Sequence, residues 1–308
     1  MNHKKAYSVV VAYNPDMDVL LNLIIQLSKQ YDKVILSDNG GGKITTDYKI
    51  HNLIYMNNGY NIGLGAALNK ALRYCEYENA LYVALFDQDS SIPNNHLDDL
   101  MFAHDQLKKQ DIKCIATAPL FYDRREALKK YFPFYKRTNY RIRKINPLPL
   151  STQLVEVDWI ITSGMLINMT LFDKHFFNEE LVVDYTDTEW CFRVGNVGCK
   201  LYGVAAVTMG HALSDEPARR VMGFWLLKYS PLRRYYYTRN TINLLKLSYV
   251  PFAYKLRLLG GSMIRIFTSV YADEGKLNSF KAIVLGFKDG FSNKTGLIDK
   301  KTLQSIKS

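Results

Sequence analysis

The sequence predicts an α/β protein, a mostly parallel sheet flanked by helices, followed by a basic, aromatic-rich C-terminal helical region. Three observations carry this. Uncharged, β-branched runs alternate with segments of helical periodicity from residue 7 to residue 118. Polar clusters, several of them acidic, follow those runs at the places where parallel strands would end and ligands bind. The charge balance then changes: residues 1–216 hold 23 basic and 25 acidic residues, whereas residues 217–308 hold 17 and 4.

Each element follows from local chemistry. Tyr7–Ala12 (YSVVVA) is an unbroken apolar run, as expected of a strand covered on both faces. Asn14-Pro15 ends it. From Asp16 to Gln30 the stripe Leu20, Leu23, Ile24, Leu27 predicts a helix. Lys33–Leu36 reads as a second strand, closed by the turn-forming run Ser37-Asp38-Asn39-Gly40-Gly41-Gly42. Leu53–Met56 is a third strand. Gly63–Tyr74 is a helix with Leu64, Ala67, Leu68 and Ala71 aligned. Leu81–Phe86, Pro93–Gln110 and Cys114–Ala118 continue the alternation as strand, helix and strand. Residues 121–150 mix bases with aromatics and read as a flexible surface excursion. Val157–Met169 and Leu201–Met209 return to strand character, and Asp184–Val194 starts a helix between them.

A chain of 308 residues, 48% apolar, suits one large domain or a domain with an appendage, divided here as 1–215 and 216–308. The four cysteines form no CxxC pair and the opening MNHKKAYSVVV is no secretory signal, so free thiols in a cytoplasmic setting are expected. No uncharged apolar stretch reaches the roughly 18–20 residues that span a bilayer.

The segment LYVALFDQDSSIP (81–93) ends an uncharged strand in two acids one residue apart. Residues i and i+2 of an extended chain point the same way, so Asp87 and Asp89 could face one divalent cation. The same residues also make good turn chemistry, and spacing alone leaves both readings open. In TDTEWCFR (186–193), Asp187 and Glu189 open a helix. They serve there either as partners of the helix dipole or as a general base in a pocket walled by Trp159 or Trp190.

The motifs VVVAYNP (9–15), ILSDNG (35–40), NNGYNIGLGAALNKAL (57–72), LFDQDS (85–90), TSGMLIN (162–168) and DYTDTEWCFR (184–193) occur in the order found in family 2 glycosyltransferases. Over roughly residues 7–215 the chain resembles that family, most of all its bacterial rhamnosyltransferase branch. The resemblance implies a GT-A fold, a Rossmann-like nucleotide-binding sheet, and inverting transfer of a sugar from a nucleotide donor. By position, it implies that Tyr13 and Pro15 wall the base, that Asp38 contacts it, and that Asn61 and Gly63 flank the nucleotide, where Gly63 and Gly65 are expected to let backbone approach the ligand closely. Asp87 and Asp89 match the DXD-type motif, Asp87 toward the ribose and Asp89 toward Mg²⁺ or Mn²⁺. His211 matches a histidine near metal and diphosphate. Asp187 matches the catalytic base and Glu189 an acid that supports it. The usual Glu-Asp is Thr186-Asp187 here, which leaves the base in place and removes the outer acid. Trp159, Thr162, Ser163, Gly164 and Trp190 surround the expected sugar and acceptor, and Arg233 and Arg234 are candidates for pairing with donor phosphates.

The expected donor is a dTDP-sugar, dTDP-L-rhamnose being favoured, with UDP-galactofuranose or a UDP-hexose as alternatives and a non-catalytic sugar-nucleotide-binding scaffold as the reading from another class. The expected acceptor is a lipid-linked glycan. Tyrosine and arginine interleaved with leucine over 230–257 suit an anionic membrane surface, hence a peripheral place at the inner face of the cell membrane. The nucleotide-site motifs argue against nucleic acid as the anionic partner.

Overall fold

The computed structural model describes residues 5–42, 44, 49–123, 129–138, 141–211, 219–221, 224–226, 229–272 and 275–307. Its first strand, β1 (Ala6–Ala12), is buried along its whole length. Alternate residues serve opposite layers: Tyr7, Val9 and Val11 join one hydrophobic cluster, and Ala6, Val10 and Ala12 the other. Helix α1 (Met17–Ser28) begins where the Asp16 carboxylate accepts the N–H groups of Asp18 and Val19 at 3.1 and 3.2 Å. The expected stripe Leu20, Leu23, Ile24, Leu27 is its buried face. Strands β2 (Lys33–Asp38) and β3 (Leu53–Asn57) follow, then α2 (Leu64–Tyr77), β4 (Tyr82–Asp87) and α3 (His96–Lys109). Helix α3 packs with α1 on one face through Leu97, Leu100 and Ala103, while α2 covers the other through Ala67, Leu68, Ala71 and Leu72.

Strand β5 (Cys114–Asp123) runs five residues beyond the expected strand. The expected surface excursion is partly ordered as a hairpin, β6 (Phe134–Thr138) and β7 (Arg141–Ile145). Its Phe134 is buried over Gly203, where a Cβ would clash with the ring. The apolar run 157–169 is not one strand. It divides into the end of β8 (Leu154–Val157) and β9 (Met165–Asn168), parted by a turn in which Gly164 has φ +81°. Helix α4 (Thr186–Asn196) and β10 (Lys200–His211) complete the layer. The eight-stranded sheet has the order β3-β2-β1-β4-β9-β5-β10-β8. β9 pairs antiparallel with both β4 and β5, and β8 opposes β10, so the other six strands share one direction.

The C-terminal region is helical: α5 (Pro231–Lys246), α6 (Phe252–Ala272), α7 (Lys276–Phe291) and α8 (Lys300–Lys307). As the sequence suggests, Ser230 caps α5 by accepting the Arg233 N–H, with Pro231 in the first turn. The proposed division at 215/216 falls in 212–218, outside the described residues. Helix α7 lies against α5 through small residues: a Cβ on Gly286 would come within 2.7 Å of the Tyr235 carbonyl, and one on Gly290 within 2.8 Å of Ile242. Alanine normally favours a helix over glycine. Here Gly286→Ala is expected to destabilise the protein by about 1–3 kcal/mol through overpacking, read as a lower denaturant midpoint.

Candidate active site

Register places the expected site residues along one edge of the sheet. Ala12 pairs with Asp38 and Val11 with Asp87, so the ends of β1, β2 and β4 lie side by side. The middle residue of Asp87-Gln88-Asp89 ties two of these ends together. Gln88 accepts the Tyr13 N–H at 2.7 Å and donates to the Tyr13 carbonyl at 3.3 Å. Asp87 and Asp89, on either side of it, are half-buried. Ser163 fixes the turn from beneath: its hydroxyl lies 2.6 Å from that of Ser90 and accepts the Asp87 N–H at 3.4 Å. Gly164 N–H donates to the Leu85 carbonyl at 2.7 Å, and a Cβ there would meet Met209 and Pro119 within 2.8 Å. Thr162 and Ser163 are themselves buried. Ser163 and Gly164 therefore support the strand end and its acidic turn from the β9 side, while the Thr162 carbonyl accepts the Met165 N–H.

Backbone bonds in both directions join Ser91 to Gly210 at 2.9 Å. This brings the end of β10, and with it the backbone of His211, beside the turn that bears Asp89. The His211 side chain lies outside the described residues.

Asp38 is 1% exposed and organises its own loop. Its carboxylate accepts the N–H groups of Gly40 and Gly42 at 2.8 and 2.9 Å and the Tyr55 hydroxyl at 2.6 Å. Asn61 accepts from Asn39 at 3.0 Å and from the Gly63 N–H at 2.9 Å. Tyr13, just past the end of β1, is half exposed. The glycines that follow have a different use from the one expected. A Cβ on Gly63 would lie 3.1 Å from Val182 Cα, and one on Gly65 would lie 2.9 Å from the Asn178 carbonyl. The backbone they admit is the chain's own segment 178–182, and the Leu64 N–H at the start of α2 donates to the Val182 carbonyl.

That segment leads into α4 through Val182, Asp184 and Tyr185, all with positive φ, at 67°, 57° and 65°. Three non-glycine residues so placed store strain that the surroundings must hold. Asn240 of α5, fully buried, holds it by donating to the carbonyls of Leu181 and Val183 at 2.7 Å and of Asp184 at 3.3 Å. Arg239 accompanies it, donating to the Glu180 carbonyl, to the Gly296 carbonyl and to Asn240 Oδ1. Arg233 forms an ion pair with Asp184 at 3.2 Å and lies over the Tyr229 ring, which Arg234 also faces from its buried position.

Asp187 sits in the first turn of α4, half-buried. Burial pushes its carboxyl up to about 6. The Thr188 N–H and hydroxyl oppose this, and the charges of Asp87 and Asp184 add to it. A capping carboxylate at a helix N-terminus would shift the other way. The Asp87 contribution means that the end of β4 lies within electrostatic reach of the start of α4. Glu189 is different. It is 1% exposed, bonded to Arg193 at 2.7 Å and to the Tyr249 hydroxyl at 2.5 Å, and so anchors α4 to the C-terminal helices. Trp190 is a core residue and not a pocket wall: it is fully buried, stacked on Phe177, with its indole N–H on the His175 carbonyl. Trp159 stacks on Tyr135 at 5.4 Å and is partly exposed.

The family model of Glycosyl transferase family 2 matches residues 8–160, from β1 past the acidic turn. Residues 8–160 thus carry a glycosyl transferase family 2 domain. Among family relatives the chain is 29% identical over 296 residues, 94% of this chain and 96% of the other, to the dTDP-rhamnosyl transferase RfbF of Shigella flexneri. Solved structures share the GT-A fold at low identity. TarS (residues 1–349) of S. aureus in complex with UDP-GlcNAc has a TM-score of 0.53 at 15% identity, over 93% of this chain and 81% of that one. GalNAc-T7 with UDP, GalNAc and Mn²⁺ has a TM-score of 0.54 at 13% identity over 86% of this chain. The present chain spans only 56% of that protein. The chain thus holds a glycosyltransferase domain on a mostly parallel sheet of GT-A type.

Sequence reasoning missed Gln88, Asn240, Arg239 and Tyr249. Gln88 had a signal, since the residue between two alternating acids must point the other way. The three C-terminal residues had none, because their partners lie at least 56 positions away.

Proposed function

We propose that the protein is an inverting rhamnosyltransferase that moves L-rhamnose from dTDP-β-L-rhamnose to a hydroxyl of a lipid-linked glycan at the inner face of the cell membrane, with Asp187 as general base. The observation that carries the reaction is the carboxyl of Asp187, raised to about 6 by burial across from Asp87. Such a group is ionised at neutral pH yet basic enough to take a proton from an acceptor hydroxyl. Glu189, held by Arg193 and Tyr249, is not placed to share that role. The dTDP-rhamnose donor is favoured by the match to the Shigella flexneri protein along nearly the whole of both chains. The UDP-bound neighbours keep a UDP-sugar as the second reading.

The residues present suit the divalent cation that the family resemblance implies. Among the described residues no three acidic, histidine or cysteine side chains form a complete cage. A hard cation that takes part of its shell from diphosphate oxygens needs only one or two carboxylates. Asp89, with Asp87 and the nearby His211 strand end, provides that donor set. Mg²⁺ or Mn²⁺ held there would supply Lewis acidity to the departing diphosphate. The rest falls to the chain. Tyr13 and Pro15 wall the base, the Asp38 loop and Asn61 border it, and Asp87 faces the ribose. Ser163 and Gly164 hold the acidic turn rigid, Trp159 borders the sugar, and Arg233 and Arg234 border the diphosphate. Asp187 orients the acceptor hydroxyl and takes its proton.

Two measurements test this. Thermal stabilisation should be larger with dTDP-L-rhamnose than with UDP-sugars at equal concentration, since a ligand that binds only the folded state raises its stability. Equal stabilisation by all donors would remove the donor assignment. The acid limb of kcat/KM should fall tenfold per pH unit below about 6, because the base must be ionised and its folded-state value lies above the ordinary 3.8. A limb near 4 would show a base other than Asp187.

A further inference from the structure

Helices α6 and α7 pack beside each other, and each leaves an apolar stripe uncovered among the described residues. On α7 the stripe is Leu277, Phe280, Val284 and Phe291, between 48% and 67% exposed. These positions recur at helical spacing, opposite the buried Ser279, Ala282, Gly286 and Gly290 that face α5. On α6 the stripe is Phe252, Leu256, Leu259 and Met263, between 47% and 72% exposed. Single exposed apolar residues are ordinary, but two aligned rows on adjacent helices mark an interaction surface.

The charges beside the stripes identify the partner. Lys276 lies one turn before Phe280, Lys281 one turn after Leu277, and Lys288 one turn after Val284. On α6, Lys255 lies one turn before Leu259, and Arg257 follows Leu256 with its guanidinium over the Tyr135 ring. Among the described residues no acid forms an ion pair with Lys255, Lys276, Lys281 or Lys288. Between residues 252 and 291 the acid among the described residues is Asp289, which is 2% exposed and bonded to Tyr235 and Lys294. Asp273 and Glu274 lie outside the described residues. A second copy of the chain seated on this face by two-fold symmetry would bring lysines against lysines. An anionic bilayer meets both features: apolar side chains enter the headgroup boundary while lysines beside them meet phosphate. None of the described helices is long and apolar enough to cross a membrane, so insertion would be in-plane.

We infer that the paired stripes of α6 and α7, with their flanking lysines, dock the protein in-plane on an anionic phospholipid bilayer. The inference deepens the proposed function and rests on it for the lipid-linked acceptor alone. The same helices fasten the 180–184 segment before Asp187 through α5, so docking places the catalytic edge near a bilayer-anchored glycan.

The test is flotation of the full chain with phosphatidylcholine vesicles, with and without phosphatidylglycerol. Binding is expected with the anionic lipid and should be lost at about 1 M salt, where screening shortens to about 3 Å. Lys281→Glu with Lys288→Glu should weaken binding about tenfold or more. Phe280→Ser with Leu256→Ser should weaken it at any salt. Turnover of a soluble acceptor should be unchanged in both variants, and unchanged circular dichroism checks their fold. Absence of wild-type binding to anionic vesicles overturns the docking face, as does a concentration-dependent dimer that the serine variants dissolve. Wild-type turnover without any binding to anionic vesicles condemns the docking face alone. Vesicle binding without any turnover condemns the transferase reading alone.

Discussion

Asp187→Asn should lower kcat by about 10²–10⁴-fold, the range that a positioned general base supplies. The change keeps shape. Asn can still accept the Thr188 N–H and hydroxyl that Asp187 Oδ1 accepts at 2.6 and 3.2 Å, so the first turn of α4 stays in place. What it removes is the capacity to take a proton. Donor binding does not use that capacity, so KM for the donor should move little, as fits a loss confined to the transition state. The neighbouring acid offers no rescue, because Glu189 is buried and committed to Arg193 and Tyr249. The residual activity should also lose the acid limb near pH 6. Stability provides an independent check of sign. A carboxyl whose folded value is raised from 3.8 to about 6 favours the folded state while protonated, and that advantage is lost as the pH rises through 6. At neutral pH, Asp187→Asn removes a costly buried charge, so Tm should be unchanged or higher. A variant with normal turnover would exclude Asp187 as the base; one with low turnover and low Tm would indicate a structural role instead.

The readable features of this chain are those set by neighbouring residues. The unbroken apolar run of β1, the four-residue stripe of α1 and the Ser230-Pro231 start of α5 each follow from residues a few positions apart. The Asp87-Gln88-Asp89 strand end was legible for the same reason. Features made by distant pairing were not. β8 and β9 read as one apolar run because composition cannot show that β9 inserts between β4 and β5 while β8 pairs with β10 at the edge. Gly63 and Gly65 signalled a close approach of backbone correctly, but what approaches is residues 178–182, over 100 positions away. Trp190 looked like a wall because it neighbours Asp187 in sequence. The two lie one turn apart in α4, but spacing does not show depth, and the Trp190 ring is taken into the core against Phe177.

The second large effect concerns a residue that touches no substrate. Asn240→Ala should lower kcat by about 10²-fold while leaving donor KM within a few-fold, since misplacing a catalytic group by about 1 Å costs that much. The reasoning starts from the strained approach to α4. Val182, Asp184 and Tyr185 keep positive φ only while something holds their peptides, and the two N–H groups of the Asn240 amide donate to Leu181 and Val183, with Asp184 sharing one of them at 3.3 Å. Alanine removes these donors and takes from Arg239 its Oδ1 acceptor. The Leu181 carbonyl keeps the Val183 N–H at 2.8 Å, but a buried carbonyl left without a donor costs about 1–3 kcal/mol, so the denaturant midpoint should fall as well. Relief comes by relaxing the approach, which turns the first residues of α4 and moves Asp187 relative to Asp87. Two readouts separate this from simple loss of fold. Folded variant, quantified by circular dichroism, should still gain thermal stability from donor, because the ends of β1, β2 and β4 are built without Asn240. Its acid limb should shift from about 6, because the distance from Asp187 to Asp87 helps set that value. A folded Asn240→Ala protein with unchanged kcat and an unmoved limb would show that the ion pair of Arg233 with Asp184 and the Leu64–Val182 bond hold the approach unaided.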